Sequence, residues 1–290
     1  MSQLSFFPGA KCLRDALVLA LALALSACAS RPVPELAVQR YESAVRSGND
    51  KLAAGDLPQA AGAFAQAEQV ASLYDRRALR MQALFALGAV AALAEQDEAS
   101  KQAYARALAE AQALDDAHGR GVAWAGLADA MRRSGDNEGA LQHYALALAP
   151  QTLRADSAER LQARMGLALV WHAKGDTPAA LDALGALESQ ARAGSSPLLP
   201  GVLVNQAAVL RDTGDARSAI AKAEEALAMD RRQANPAVLA KDLELLGNLY
   251  QANQSAVQAR DSWERALRIA QATGQAKLQS RLKLALTALR

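Results

Sequence analysis

The chain has 290 residues, room for one or two ordinary domains or a single elongated array. Hydrophobic residues make up 51% of it and aromatics only 4%, so its apolar mass is mostly Ala and Leu, both strong helix formers. The net charge of +2, from 32 basic and 30 acidic residues with no long run of one sign, excludes an electrostatic footprint for nucleic acid and a charged binding tail.

In chain order, Lys11 and Arg14 come first, before an apolar run from Ala16 to Leu25. The run is too short for a membrane-spanning helix, and no polar face interrupts it. It therefore suits the hydrophobic region of an export signal better than a buried amphipathic helix. It ends in Leu25-Ser26-Ala27-Cys28, an aliphatic residue and two small ones before a Cys. This resembles the lipobox of bacterial lipoproteins; a plain secretory signal or an uncleaved anchor is the alternative. The resemblance implies a signal peptide over residues 1–27, cleavage before Cys28, lipid on its thiol, and usually an acylated new amino terminus. Two or more acyl chains hold a protein stably at a membrane. Cys12 would leave with the signal, so no disulfide and no Cys metal ligand would remain. In such lipoproteins an Asp after the Cys often retains the protein in the inner membrane. Ala29 stands there instead, so the expected place is the outer membrane, facing the periplasm. Residues 28–40, with Ser30-Arg31-Pro32-Val33-Pro34, read as an extended tether.

The remainder repeats. Gly-Asp recurs at Gly55-Asp56, Gly135-Asp136, Gly175-Asp176 and Gly214-Asp215, and Glu95 and Gln254 keep the register, giving spacings of 40, 40, 40, 39 and 40 residues. Five, nine and twelve residues after each anchor lie one helical stripe, such as Ala140, Tyr144 and Ala147 or Ala259, Trp263 and Ala266. Before it, offsets of eleven, eight, seven and four share another face, such as Leu243, Leu246, Gly247 and Tyr250. Each repeat is thus predicted to be helix, tight turn, helix, with Gly in the left-handed conformation that ends a helix. Ala149 to Thr152 and Ala193 to Pro200 are the most loop-like connections, and Lys277 to Arg290 reads as a last amphipathic helix.

This pattern resembles the tetratricopeptide repeat (TPR), although its period is 40 where 34 is common. The resemblance rests on the turn, the Ala after it, the aromatics at Phe64, Tyr104, Tyr144 and Trp263, and pairs such as Ala107-Leu108 and Ala266-Leu267. It implies an all-α, right-handed superhelical solenoid of about six repeats over residues 41–271, with a capping helix over 272–290. It also implies a concave groove lined by the first helix of each repeat. The exposed face of that groove would include Phe85, Asp129, Arg132, Arg133, Met165, Leu169, His172, Asn205, Arg211 and Asn248. Some TPR proteins clamp a C-terminal carboxylate with Lys and Asn; here Asn49 matches one slot, but Val45 stands where the Lys would be.

Chemistry-bearing motifs are few. His118, His143 and His172 form no metal-ligand spacing, and there is neither Gly-x-Ser-x-Gly nor a phosphate-binding Gly-rich loop. No catalytic site, cofactor or metal is expected. The expected function is an interaction scaffold for other proteins, bound to the membrane through lipid. TPR lipoproteins of that kind recruit secretion or pilus machinery or position cell-wall enzymes, and the chain looks similar to the pilotin lipoproteins of type IV pili. A carrier holding a small or lipidic ligand in the groove is the alternative.

Overall fold

The computed structural model describes residues 33–233 and 235–289. The expected signal peptide and lipobox, Cys28 among them, lie outside the described residues. Thirteen helices fill the described chain: α1 (Val33–Ala53), α2 (Leu57–Leu73), α3 (Arg77–Leu93), α4 (Asp97–Ala113), α5 (Ala117–Arg133), α6 (Asn137–Ala147), α7 (Ala158–Ala173), α8 (Thr177–Ala193), α9 (Leu199–Thr213), α10 (Ala216–Gln233), α11 (Pro236–Ala252), α12 (Ala256–Ala272) and α13 (Ala276–Ala288). Each packs on the next, and the whole is an α-solenoid of TPR-like repeats. Helix α1 begins at Val33, so it occupies part of the stretch expected to be an extended tether. Pro34 is compatible with this, because a first-turn proline sacrifices no helical hydrogen bond.

The turns explain the period. Gly55, Gly135, Gly175 and Gly214 are left-handed, and Glu95 and Gln254, each at φ 58°, hold the same conformation without glycine. Asp56, Asp136, Asp176 and Asp215 then accept hydrogen bonds from backbone N–H groups three residues on, capping the following helix. The connections between repeats use the same device: Asp75, Asp115, Ser195 and Gly274 are left-handed too. The structural unit is therefore a helix and a three-residue turn of about twenty residues, half the repeat visible in the sequence. The connection between α6 and α7 departs. Helix α6 stops at Ala147, and Thr152 returns its hydroxyl to the carbonyls of Ala147 and Ala149. Leu153 then plugs the core beside α5.

The stripes after the anchor form the core, with Trp263, Tyr144 and Phe64 among the largest fully buried side chains. Small residues one helix away make room for them. A Cβ on Gly247 would lie 2.3 Å from Trp263 Cδ1, and Gly48 and Gly88 stand in the same relation to Phe64 and Tyr104. Gly247→Val should therefore cost about 1–3 kcal/mol, as overpacking does. Urea melts would show it, and an unchanged midpoint would mean that Trp263 can move away freely.

The two ends of the array meet. A Cβ on Gly55 would lie 2.7 Å from Thr273 Cγ2 and 3.4 Å from Pro236 Cβ, and one on Gly274 would touch Pro58. Leu57 and Ala237 share a buried cluster. Glu95 pairs with Arg281 and Lys241, and Lys277 donates to its backbone carbonyl.

Candidate functional site

The first helices of the repeats are buried on two sides, because each lies between the preceding and following repeats. Val90, Ala130, Val170, Val209 and Leu249, five residues before their anchors, are all buried. This changes the expected groove. Met165 is only 6% exposed and belongs to the core around Leu184 and Leu203, so its assignment to an exposed face is corrected. Leu169 packs partly buried against the same cluster, and Phe85 packs on Tyr104 with ring centroids 6.4 Å apart. Asn205 is half-buried beside the core residues of α9.

Most polar members of the expected groove have partners within the chain, Asn205 being the exception among the described residues. Asp129 accepts from the Tyr144 hydroxyl at 2.6 Å, and Asn248 accepts from the Trp263 indole at 3.1 Å. In both pairs an aromatic nine residues after an anchor reaches a polar residue six before the same anchor. Burial pushes the Tyr144 hydroxyl well above its ordinary pKa, and the adjacent Asp129 adds to the effect. Arg133 Nε lies 2.6 Å from Asp97, Arg132 is 3.7 Å from Asp129, and Arg211 Nε is 2.8 Å from Asp212. The basic edge expected to meet a partner's acids is thus already matched by acids of this chain. Asn248 lines a cavity of about 330 Å³ with Trp263, Glu244 and Arg281.

His172 is the centre of one relay. Its Nδ1 lies 2.9 Å from Thr177 Oγ1 and its Nε2 3.0 Å from Asp212 Oδ2. Hydroxyl, imidazole and carboxylate in that order are the elements of a hydrolase triad, but the partner donors are missing. Pro178 has no N–H, and the Ala179 N–H is used by Asp176, so this helix start offers no pair of free N–H groups for an oxyanion. The relay ties repeat four to repeat five. Among the described residues no group of three His, Cys, Asp or Glu could hold a metal, and no helix is long and apolar enough to cross a membrane.

A trough lies elsewhere, between α10 and α12; Leu243 and Leu246 at its bottom are core residues, and its accessible apolar groups are Val257 and the partly buried Leu239, Tyr250 and Ile269. Two adjoining cavities of about 180 and 490 Å³ share Leu227, Arg231, Leu243 and Arg265. Their floor is a stripe of α11, Leu239, Leu243, Leu246 and Tyr250, roughly 16 Å long at 1.5 Å per residue. Val257, 81% exposed, stands on the rim. Arg265 pairs with Asp261, and Tyr250 donates to Glu224, a contact that with burial pushes its hydroxyl up to about 12. Arg231 and Arg268 are exposed and have no hydrogen-bond or ion-pair partner among the described residues. The sequence reading missed this trough because Leu243, Leu246 and Tyr250 occupy slots that repeat periodicity marks as core.

No family model and no curated protein matches the chain. Solved structures do match. A Rap protein complexed with Competence and Sporulation Factor superposes with a TM-score of 0.62 at 14% identity, over 87% of this chain and 77% of that one. BtubC (BKLC) from P. vanneervenii gives 0.50 at 19% identity, over 82% and 92%. The APC/C hetero-tetramer Cut9-Hcn1 gives 0.51 at 14% identity, over 83% and 48%. At these identities the likeness is one of fold, and the fold is that of TPR-like repeat proteins.

Proposed function

We propose that the protein is a lipid-anchored adaptor of the cell envelope. On this reading it is acylated at Cys28, held at the outer membrane and facing the periplasm, and its TPR-like array binds another protein. The observation that carries the binding role is the trough between α10 and α12. It has an apolar floor three helical turns long and two unmatched arginines, Arg231 and Arg268, on its walls. The exposed Val257 with the partly exposed Leu239 and Tyr250 gives the trough accessible apolar surface of the kind that marks interaction sites, and the charge fits a segment with acidic flanks. Two structures of similar fold are complexes, the Rap protein with Competence and Sporulation Factor and Cut9 with Hcn1, which supports a binding role for this one. The lipobox supports the anchor. The groove expected from the sequence is the less suitable surface, because Arg133 and Arg211 are hydrogen-bonded to acids of this chain and Arg132 lies 3.7 Å from Asp129.

Two measurements test the reading. Cys28→Ser should abolish acylation and release the exported protein from the membrane fraction, and a variant still acylated and membrane-bound would sink the anchor. A photo-crosslinking residue at Val257 should trap a protein partner in intact cells, and Arg231→Glu with Arg268→Glu should reduce the yield. Equal trapping by these variants, or trapping only from Asn205, would return the binding surface to the concave side.

A further inference from the structure

A second cavity, of about 300 Å³, lies where the ends of the array meet, and it does not depend on the adaptor reading. Its walls are α2, the end of α3 and the start of α4, and Gly274 of the turn between α12 and α13 closes one side against Pro58. Leu87, Ala61, Ala94 and Ala99 line it, with the almost fully buried Leu57 and Val90 behind them, and Gln96, Gln102 and Arg106 supply its polar side. It shares no lining residue with the trough between α10 and α12, so it is a discrete socket and not part of a continuous track for an extended chain. Its volume is at the lower end of small-molecule sites. It holds roughly ten water-sized groups at ~30 Å³ each.

Charge distinguishes the mouth. Arg106 lines the cavity and pairs with Glu68 at 2.7 Å. Glu68 also meets Arg80 at 3.1 Å, Arg80 meets Glu110 at 3.1 Å, and Glu110 meets Arg77 at 3.4 Å. The chain of contacts holds three guanidinium groups and two carboxylates, so one positive charge is uncompensated. Arg106, at one end and half exposed, has a single carboxylate partner. A second carboxylate at the mouth would complete the alternation of charge, and a guanidinium can serve two carboxylates at once.

We propose that this cavity binds a single-chain amphiphile with a carboxylate head, of the size of a medium-chain fatty acid, its tail among Leu87, Ala61, Ala94 and Ala99 and its head at Arg106. Because Gly274 forms one wall, the bound ligand touches both ends of the array and favours their contact.

Calorimetric titration of the full chain with sodium decanoate below its micelle concentration, and separately with 1-decanol, tests this. Ala99 is exposed in the first turn of α4 and lines the cavity, so Ala99→Trp fills it without disturbing the core. Arg106→Gln removes the head contact alone. Decanoate should bind saturably at one per chain. Ala99→Trp, with an unchanged melting profile, should weaken both ligands by about tenfold or more, a change of ~1.4 kcal/mol or greater. Arg106→Gln should weaken decanoate by about tenfold and leave decanol unchanged, as loss of a charge-assisted bond would. Absence of saturable decanoate binding, or undiminished binding by Ala99→Trp, overturns the proposal. Equal weakening of decanol by Arg106→Gln overturns the placement of the head. If Ala99→Trp instead blocks a protein partner while decanoate never binds, the cavity is a socket for a partner's side chain and the proposal fails.

Discussion

Replacing both Asp230 and Asp242 with Ala should stabilise the protein and flatten a decline in stability that the wild type undergoes as pH rises from 3.8 to about 8. Asp230 on α10 and Asp242 on α11 are both buried and share a side-chain hydrogen bond. In four of the other five repeats the corresponding positions are Ala71, Ala111, Ala191 and Ala270 for the first, and Ala83, Ala123, Ala163 and Val202 for the second, all buried; the exceptions, Gln151 and Ser43, are exposed. Two carboxyls thus stand where most repeats bury small apolar side chains. Among the described residues no cation compensates them; the charged group acting on each is the other, and Asp242 Oδ2 has no partner there. Burial first, then the neighbouring carboxyl, pushes Asp242 up to about 8, and burial raises Asp230 too. The pair titrates as a unit and keeps a proton that the unfolded chain has lost. A raised folded-state pKa means that the folded protein holds more protons than the unfolded one between 3.8 and about 8. Stability therefore falls across that window and levels off above it. Replacing buried charged groups by fitting apolar ones typically gains about 1–4 kcal/mol, and the alanines of the other repeats show that the slots accept Ala. Urea melts at a series of pH values would give both curves. Parallel curves for wild type and double variant would show that the carboxyls are not the cause.

The stacking of helices was legible in the sequence because the period and both main stripes are local patterns. Four things were not. The turns at Asp75, Asp115 and Ser195 have the same left-handed geometry as the glycine turns, but they carry no glycine, so the twenty-residue unit was hidden. The buried row from Val90 to Leu249 could not be told from a solvated face, because it is buried by the next repeat and not by the helix's own partner. For the same reason Met165 passed for a groove residue. Arg133 looked available because Asp97, which meets it, is 36 positions away. Distance in sequence also hid the meeting of the two ends, which joins residues 186 apart.

Replacing Glu95 with Gln should loosen that meeting point while leaving the stacked helices folded. Glu95 stands where four of the six anchors have glycine, at φ 58°, a conformation that costs a side-chain-bearing residue roughly 1–2 kcal/mol. Its carboxylate gives the strain a purpose. Arg281 reaches it with both terminal nitrogens, at 2.5 and 3.0 Å, and reaches Glu244 at 2.7 Å, so the guanidinium bridges two carboxylates. Lys241 adds a contact at 3.7 Å. Burial works against ionising Glu95, but Arg281, Lys241 and Lys277 outweigh it and hold the carboxyl below its ordinary range. Its contribution is therefore present at neutral pH and is lost as pH falls through that lowered value. Arg281 is about half exposed, so water screens the network. The loss on neutralising Glu95 should be roughly 1–2 kcal/mol. Because each repeat contacts mainly its neighbours, that loss should stay at the junction. Hydrogen exchange should quicken at residues 54–60 and 273–277, where Gly55 meets Thr273 and Pro58 meets Gly274, and stay unchanged in α6 to α8. Glu95→Gly should produce the same opening even though it relieves the backbone, which separates the carboxylate from the strain. Exchange that rises only within residues 93–97 would mean that the apolar contacts of Leu57 and Ala237 hold the ends together without the ion pairs.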